Sequence, residues 1–218
     1  MSDFHSYADT HLKYFEENGQ RVLYKKGQLL VRRDEPSPWM FFLERGLVKM
    51  MFTSQDGTER IYGFGIPGMS FTQSGAFYTL PHTELEFEAH TNCTIWRLAR
   101  SQFIKELETN ISMLREWHER ILQNHNLLTE RILYAGEKDP RRRITAWLLG
   151  MARYYGFAQK DGSIVLEIPM TQDVMASFVH LSRERTNIIL SDLRKRDLIT
   201  IKKQYITVLS VELLQQEL

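Results

Sequence analysis

MTQDVMASFVHLSRERTNIILSDLRKRDL, residues Met170–Leu198, decides the reading of this chain. Thr171 supplies a hydroxyl N-cap for a helix to about Val179, with Val174, Met175 and Phe178 facing inward. His180-Leu181 makes a tight turn. Ser182 then caps a second helix to about Arg196, with Arg183 and Glu184 in its first turn and Ile189, Leu190 and Leu193 facing inward. That spacing packs two helices at a steep angle and leaves the N-terminal turn of the second exposed.

A helix presented this way fits the DNA major groove, which is read by side chains near the helix start. Arg183 is placed to bond guanine bidentately, and Glu184 to accept from cytosine N4. Ser182, Arg185 and Asn187 join them as candidate DNA-binding residues, and Ile188 either meets a thymine methyl or packs inward. Thr171, Gln172, Lys202 and Lys203 suit phosphate oxygens. The two lysines sit in the turn of a small hairpin, Ile199–Ile201 and Tyr205–Val208, which reads as a wing, and a last helix covers about Val211–Leu218.

Upstream, Ile164–Ile168 alternates as a strand after the Asp161-Gly162 turn. Asp139-Pro140 starts a helix to about Tyr155, with Ile144, Trp147, Leu148 and Met151 on one face. The run Arg141-Arg142-Arg143 reads either as a solvated helix start or as a contact to the DNA backbone.

A helical stretch from about Ser101 to Ala135 lacks internal Pro and Gly and ends at Gly136. Ile111, His118, His125 and Ile132 recur every seven residues, as do Leu114, Ile121, Leu128 and Ala135. The two sets form an a/d seam, which favours a partner helix; Trp117 is counted with the dimer seam. In a two-fold dimer each seam residue meets its own copy, so protonating His118 or His125 would bring like charges together at low pH. The bland reading of both histidines is that they set register.

Between Val22 and Leu98, short apolar runs recur at 22–24, 29–31, 40–43, 47–52, 61–64, 85–87 and 94–98. Glycines punctuate them, and Asp56-Gly57 marks a hairpin. Many short strands with regular turns give a sandwich or barrel, and a jelly roll fits. Residues 1–20 read as a helix with Tyr7, Leu12 and Phe15 as core positions. The expectation is an α+β chain: a sensor jelly roll over 1–100, a dimerisation helix over 101–136 and a winged helix-turn-helix over 137–218.

Charge agrees modestly. The net charge of +1 divides into −2 for residues 1–136 and +3 for 137–218, which suits a polyanion partner for the second part. No segment is long and apolar enough to span a membrane, and Met1–Thr10 lacks a signal-peptide pattern, so a cytoplasmic location is expected. The one cysteine, Cys93, cannot hold an iron–sulfur cluster, which takes about four thiolates. His5, His11, His82, His90 and His180 show no metal-ligand spacing, so no metal is expected. The sequence holds no nucleophile elbow, P-loop or zinc motif, which argues against an enzyme.

These motifs together resemble the CRP/FNR regulators. Thr171–Ala176, Leu181–Thr186, Leu193 and Leu198-Ile199 are similar to that family's helix-turn-helix. Tyr24–Gly27, Phe41–Leu43, Gly46–Lys49, Asp56-Gly57 and Pro67-Gly68 follow the order of its cyclic-nucleotide-binding-like domain. The resemblance implies a homodimer on a near-palindromic double-stranded DNA operator, with RNA polymerase as a further partner. It also implies a small-molecule effector held near Phe71, Thr72, Gln73, Thr83 and Glu84, with Leu128 and Thr129 from the long helix.

Departures from the family matter equally. Where nucleotide-binding members carry Gly-Glu and then Arg-Ser, this chain has Thr72-Gln73 and Thr83-Glu84. A cyclic phosphate needs backbone donors and a cation, whereas Glu84, Glu86 and Glu88 set carboxylates along one strand face. Cyclic AMP, haem and an iron–sulfur cluster are therefore not expected, and the pocket either takes another small molecule or stays empty. Asn187-Ile188 replaces the family's usual Ser-Arg or Gly-Arg, so the operator differs from the usual palindrome. The alternative is a ligand-binding module whose DNA binding is weak or non-specific.

Overall fold

Short strands between residues 20 and 99 form a roll of two antiparallel four-stranded sheets. The computed structural model describes residues 8–33, 38–54, 57, 59–71, 85–166 and 168–218. Among them, β1 (Gln20–Tyr24), β2 (Leu29–Val31), β3 (Trp39–Arg45), β4 (Val48–Thr53), β5 (Glu59–Gly65), β6 (Ser70–Phe71), β7 (Glu86–Ala89) and β8 (Cys93–Ala99) follow in order. One sheet runs β1-β8-β3-β6 and the other β2-β7-β4-β5. The roll belongs to a compact unit, Ser2–Arg120; Ile121–Leu218 forms a second.

Met40 to Leu43 are buried without a break because both faces of β3 are covered. Phe41 and Leu43 point into the roll with Val48, Phe87 and Ile95, while Met40 and Phe42 pack outward against helices. A strand alternates its side chains, so a continuous apolar run marks burial on both sides. The helices on the outer face are α1 (Ala8–Asn18), α2 (Arg100–Thr109) and the first part of α3 (Ile111–Ala135). Phe15, Phe103, Leu107, Met113 and Trp117 fill that layer.

Two expectations change here. The stretch expected as one helix over 101–135 is two, because Asn110 adopts extended dihedrals and accepts from the Met113 N–H at 3.1 Å, which caps α3. Trp117, expected at the dimer seam, is 5% exposed and packs on Phe103 in the core of its own unit. α3 is apolar on two faces, and heptad spacing alone does not say which face meets which partner. The strand β6 was not expected from the sequence; two residues carry too little pattern to be read without their partner β3.

The second unit holds the rest of α3, α4 (Pro140–Tyr155), β9 (Gly156–Ala158), β10 (Ile164–Leu166), α5 (Gln172–Val179), α6 (Arg183–Lys195), β11 (Ile199–Lys202), β12 (Tyr205–Val208) and α7 (Val211–Gln215). Its sheet runs β11-β12-β10-β9, all antiparallel. Asp139 caps α4 through the Arg141 N–H at 2.9 Å, with Pro140 in the first turn, as the Asp-Pro pair requires. Ile144, Trp147, Leu148 and Met151 are all buried.

Candidate nucleic-acid interface

Two hydroxyl caps set the helix pair. Thr171 Oγ1 accepts from the Val174 N–H at 3.2 Å and Ser182 Oγ from the Arg185 N–H at 3.2 Å. Between them His180 takes a left-handed conformation, φ 52°, that turns the chain sharply out of α5. Met175, Ala176, Phe178 and Val179 of α5 and Ile189, Leu190 and Leu193 of α6 are buried, so the pair is fixed from beneath. Val174, expected inward, is only half-buried.

What remains outside is the first turn of α6. Ser182, Arg183, Glu184 and Arg185 are exposed, whereas Thr186 turns in and donates from its hydroxyl to the Ser182 carbonyl at 3.0 Å. Ile188 is 55% exposed, which settles its direction: it faces solvent and does not pack inward. Gln172 lies across from Arg183 and Asn187 and bonds both. Thr171, Gln172, Ser182, Arg183 and Asn187 therefore form one connected patch.

The wing stands beside it. Lys202 and Tyr205 pair across β11 and β12, and Lys203 and Gln204 turn the chain with φ of 48° and 75°. The Met170 N–H donates to the Gln204 carbonyl at 2.8 Å, tying the wing to the residue before the Thr171 cap. Lys202 and Lys203 are exposed.

The arginine run is resolved differently. Arg141 pairs with Asp192 and, at 3.2 Å, with Glu217; Arg142 lies 3.4 Å from Glu137; Arg143 donates to the carbonyls of Glu137 and Val179. The Arg141 guanidinium joins α4 to α6 and to the segment after α7, and Arg143 ties α4 to α5 and to the segment before α4. Asp192 and Glu217, each bonded to arginine, have carboxyls held below the usual carboxylate range.

Of the candidate effector residues, Thr72, Gln73, Thr83 and Glu84 lie outside the described residues. Phe71 stacks with Phe41 and Phe87, ring centres 5.5 Å apart in each pair, so it packs against the roll interior. Leu128 is half-buried and Thr129 exposed on α3, the Thr129 hydroxyl donating to the His125 carbonyl at 3.0 Å. On the acidic strand, Glu88 sits 3.3 Å from Lys49 and Glu86 accepts from Thr53 at 3.5 Å. Sequence reasoning missed Lys49, which pairs with Glu88 across β4 and β7.

The seam positions of α3 are open. Ile111, Ile121 and Ile132 are 63%, 46% and 73% exposed, His118 and His125 are exposed, and Leu114 and Leu128 are half-buried. Leu122 and Leu133, outside the heptad reading, are exposed as well and widen the apolar row.

Comparison with known proteins agrees with this geometry. Residues 21–110 match the cyclic nucleotide-binding domain model and residues 142–217 the Crp-like helix-turn-helix domain model. The nitrogen fixation regulation protein FixK of Bradyrhizobium diazoefficiens is 22% identical over 87% of this chain and 78% of its own. The cAMP-activated global transcriptional regulator CRP of Salmonella typhimurium is 21% identical over 92% of this chain and 95% of its own. The structure of FixK2 from Bradyrhizobium japonicum shares the fold with a TM-score of 0.76 and 20% identity, covering 91% of this chain and 96% of that one. Two domain models matched in sequence order, on a roll and a winged helix-turn-helix, make this chain a member of the CRP/FNR family of DNA-binding transcription regulators.

Proposed function

We propose that the protein is a homodimeric, sequence-specific DNA-binding regulator whose DNA affinity is set by a small molecule other than cyclic AMP. The observation that carries the DNA reading is the exposed first turn of α6, with Arg183, Glu184 and Arg185 outward and Lys202 and Lys203 on the wing beside it. The open apolar row of α3 supports the dimer, because exposed large apolar rows mark association sites. Two recognition helices then meet half-sites about 34 Å apart. Leu128→Glu is expected to give monomers by sedimentation and to abolish operator binding while the roll stays folded. An operator-binding monomer would overturn the reading.

The effector reading rests on residue chemistry. Thr83-Glu84 supplies no cation for a cyclic phosphate. Phe71 itself is stacked on Phe41 and Phe87 against the roll core, so the reading rests on the missing cation. Calorimetry with cyclic AMP and cyclic GMP at millimolar concentration is expected to show no saturable heat, and tight binding by either sinks this assignment. RNA polymerase is the further partner expected of a regulator that activates.

A further inference from the structure

Gln172 and Asp173 open α5, yet both reach the side chains of α6. Gln172 Oε1 accepts from Asn187 Nδ2 at 2.9 Å and from Arg183 Nε at 3.3 Å. Asp173 Oδ1 lies 3.5 Å from an Arg183 Nη. Arg183 and Asn187 are four residues apart, so they stand one above the other on the same face of α6.

Two donors converging on one amide oxygen fix the Gln172 amide by its hydrogen-bond network: the oxygen faces α6 and the N–H pair points away from both donors. For Arg183 the consequence is geometric. A guanidinium is a rigid plane, and bidentate reading of guanine needs that plane aligned with the base edge. With Nε held by Gln172, both Nη groups stay available for a base. Asp173 holds one Nη only through a weak contact, because both side chains are more than 60% exposed to solvent. A side chain already held loses less freedom on meeting its partner.

We infer that Gln172 is a positioning residue for base reading: it presets the Arg183 guanidinium plane and Asn187 together. Read from the sequence, Gln172 is a phosphate contact only. The inference rests on Arg183 being the base reader of α6, and the experiment separates the two.

Fluorescence anisotropy at fixed salt compares the parent, Gln172→Ala, Arg183→Ala and the double variant. Each is titrated with the operator, with operators altered at single base pairs, and with random DNA. Arg183→Ala is expected to lower discrimination at one base pair by about tenfold or more. Gln172→Ala is expected to lower discrimination at that same base pair by part of that factor, and to leave it unchanged when Arg183 is already alanine. Gln172→Glu keeps the acceptor, so it retains the base preference while its charge weakens binding to every DNA. Gln172 is exposed, so these variants keep the buried helix pair intact, which a melting curve checks. If Gln172→Ala weakens operator and random DNA by the same factor in both backgrounds, Gln172 is a phosphate contact only. Positioning is then overturned while base reading by Arg183 stands. If Arg183→Ala shifts no base preference, the reading beneath fails and the role of Gln172 falls with it.

Discussion

A Cβ on Gly150 would meet Cε2 of Tyr134 at 3.1 Å. The Tyr134 ring closes on α4 at the one residue there that has no side chain. Its hydroxyl donates to Glu130 Oε2 at 3.1 Å, and Glu130 in turn pairs with Arg153. Burial, with the Glu130 carboxylate adding to it, pushes the Tyr134 hydroxyl up to about 12, so it remains a neutral donor. Gly150→Ala gains helix propensity of about 1 kcal/mol and loses a similar amount to crowding, so urea unfolding should place it within about 1 kcal/mol of the parent. Gly150→Leu should cost about 1–3 kcal/mol, since the ring is tied and cannot give way. A Leu variant as stable as the parent would show that the ring is not fixed.

Acid should weaken the roll through His11. The ring is fully buried, with Nδ1 3.3 Å from Ser70 Oγ and Nε2 3.7 Å from Glu116 Oε2. Burial first and the Arg120 guanidinium second lower its pKa to about 4, against a raising bond from the Met113 backbone. Glu116 is close enough to favour the cation, but loss of solvent and Arg120 outweigh it, so the imidazole is neutral. Because the folded value lies below the unfolded one, this stability is fully present above about pH 6.5. It is lost as pH falls toward about 4, by an amount on the order of 3 kcal/mol. The unfolding midpoint of the parent should drop between about pH 7 and about pH 5, and that of His11→Gln should drop less. Equal slopes would remove His11 from the account.

On the wing, Lys203 carries both a charge and a left-handed backbone, φ 48°. Lys203→Asn separates the two, because asparagine tolerates that conformation. It should weaken operator and random DNA alike and lower the salt slope by about one. A loss confined to the operator would mean that Lys203 reads sequence.

Cys93 should be inert. Its thiol is buried, donates to the Leu47 carbonyl at 3.1 Å, and has its pKa raised by burial. Iodoacetamide should label it only in denaturant, as counted by mass spectrometry. Rapid labelling of the native protein would place the thiol within reach of solvent.

The sequence displayed the elements whose signals are local. Thr171 and Ser182 announce their helices because a cap bonds three residues ahead. The run from Met40 to Leu43 announces a strand covered on both faces. What stayed hidden depends on distant partners. The strand β9 is three residues, Gly-Phe-Ala, that exist as a strand only beside β10. Trp117 and Ile121 both suit an apolar helix face, yet one is core and the other open to a partner. Arg141 finds its carboxylates 51 and 76 residues away, which no spacing rule reveals. At the site, the residue types of α6 were legible, whereas the bonds from Gln172 to Arg183 and Asn187 came from helix packing.

The three consecutive arginines had been counted toward the positive tilt of residues 137–218, but Arg141 is engaged by Asp192 and Glu217 and Arg143 by two carbonyls, while Arg142, exposed, lies 3.4 Å from Glu137. Cations engaged in this way release few counterions on meeting a duplex. The salt dependence expected of DNA binding is correspondingly shallower than the charge count of residues 137–218 suggests.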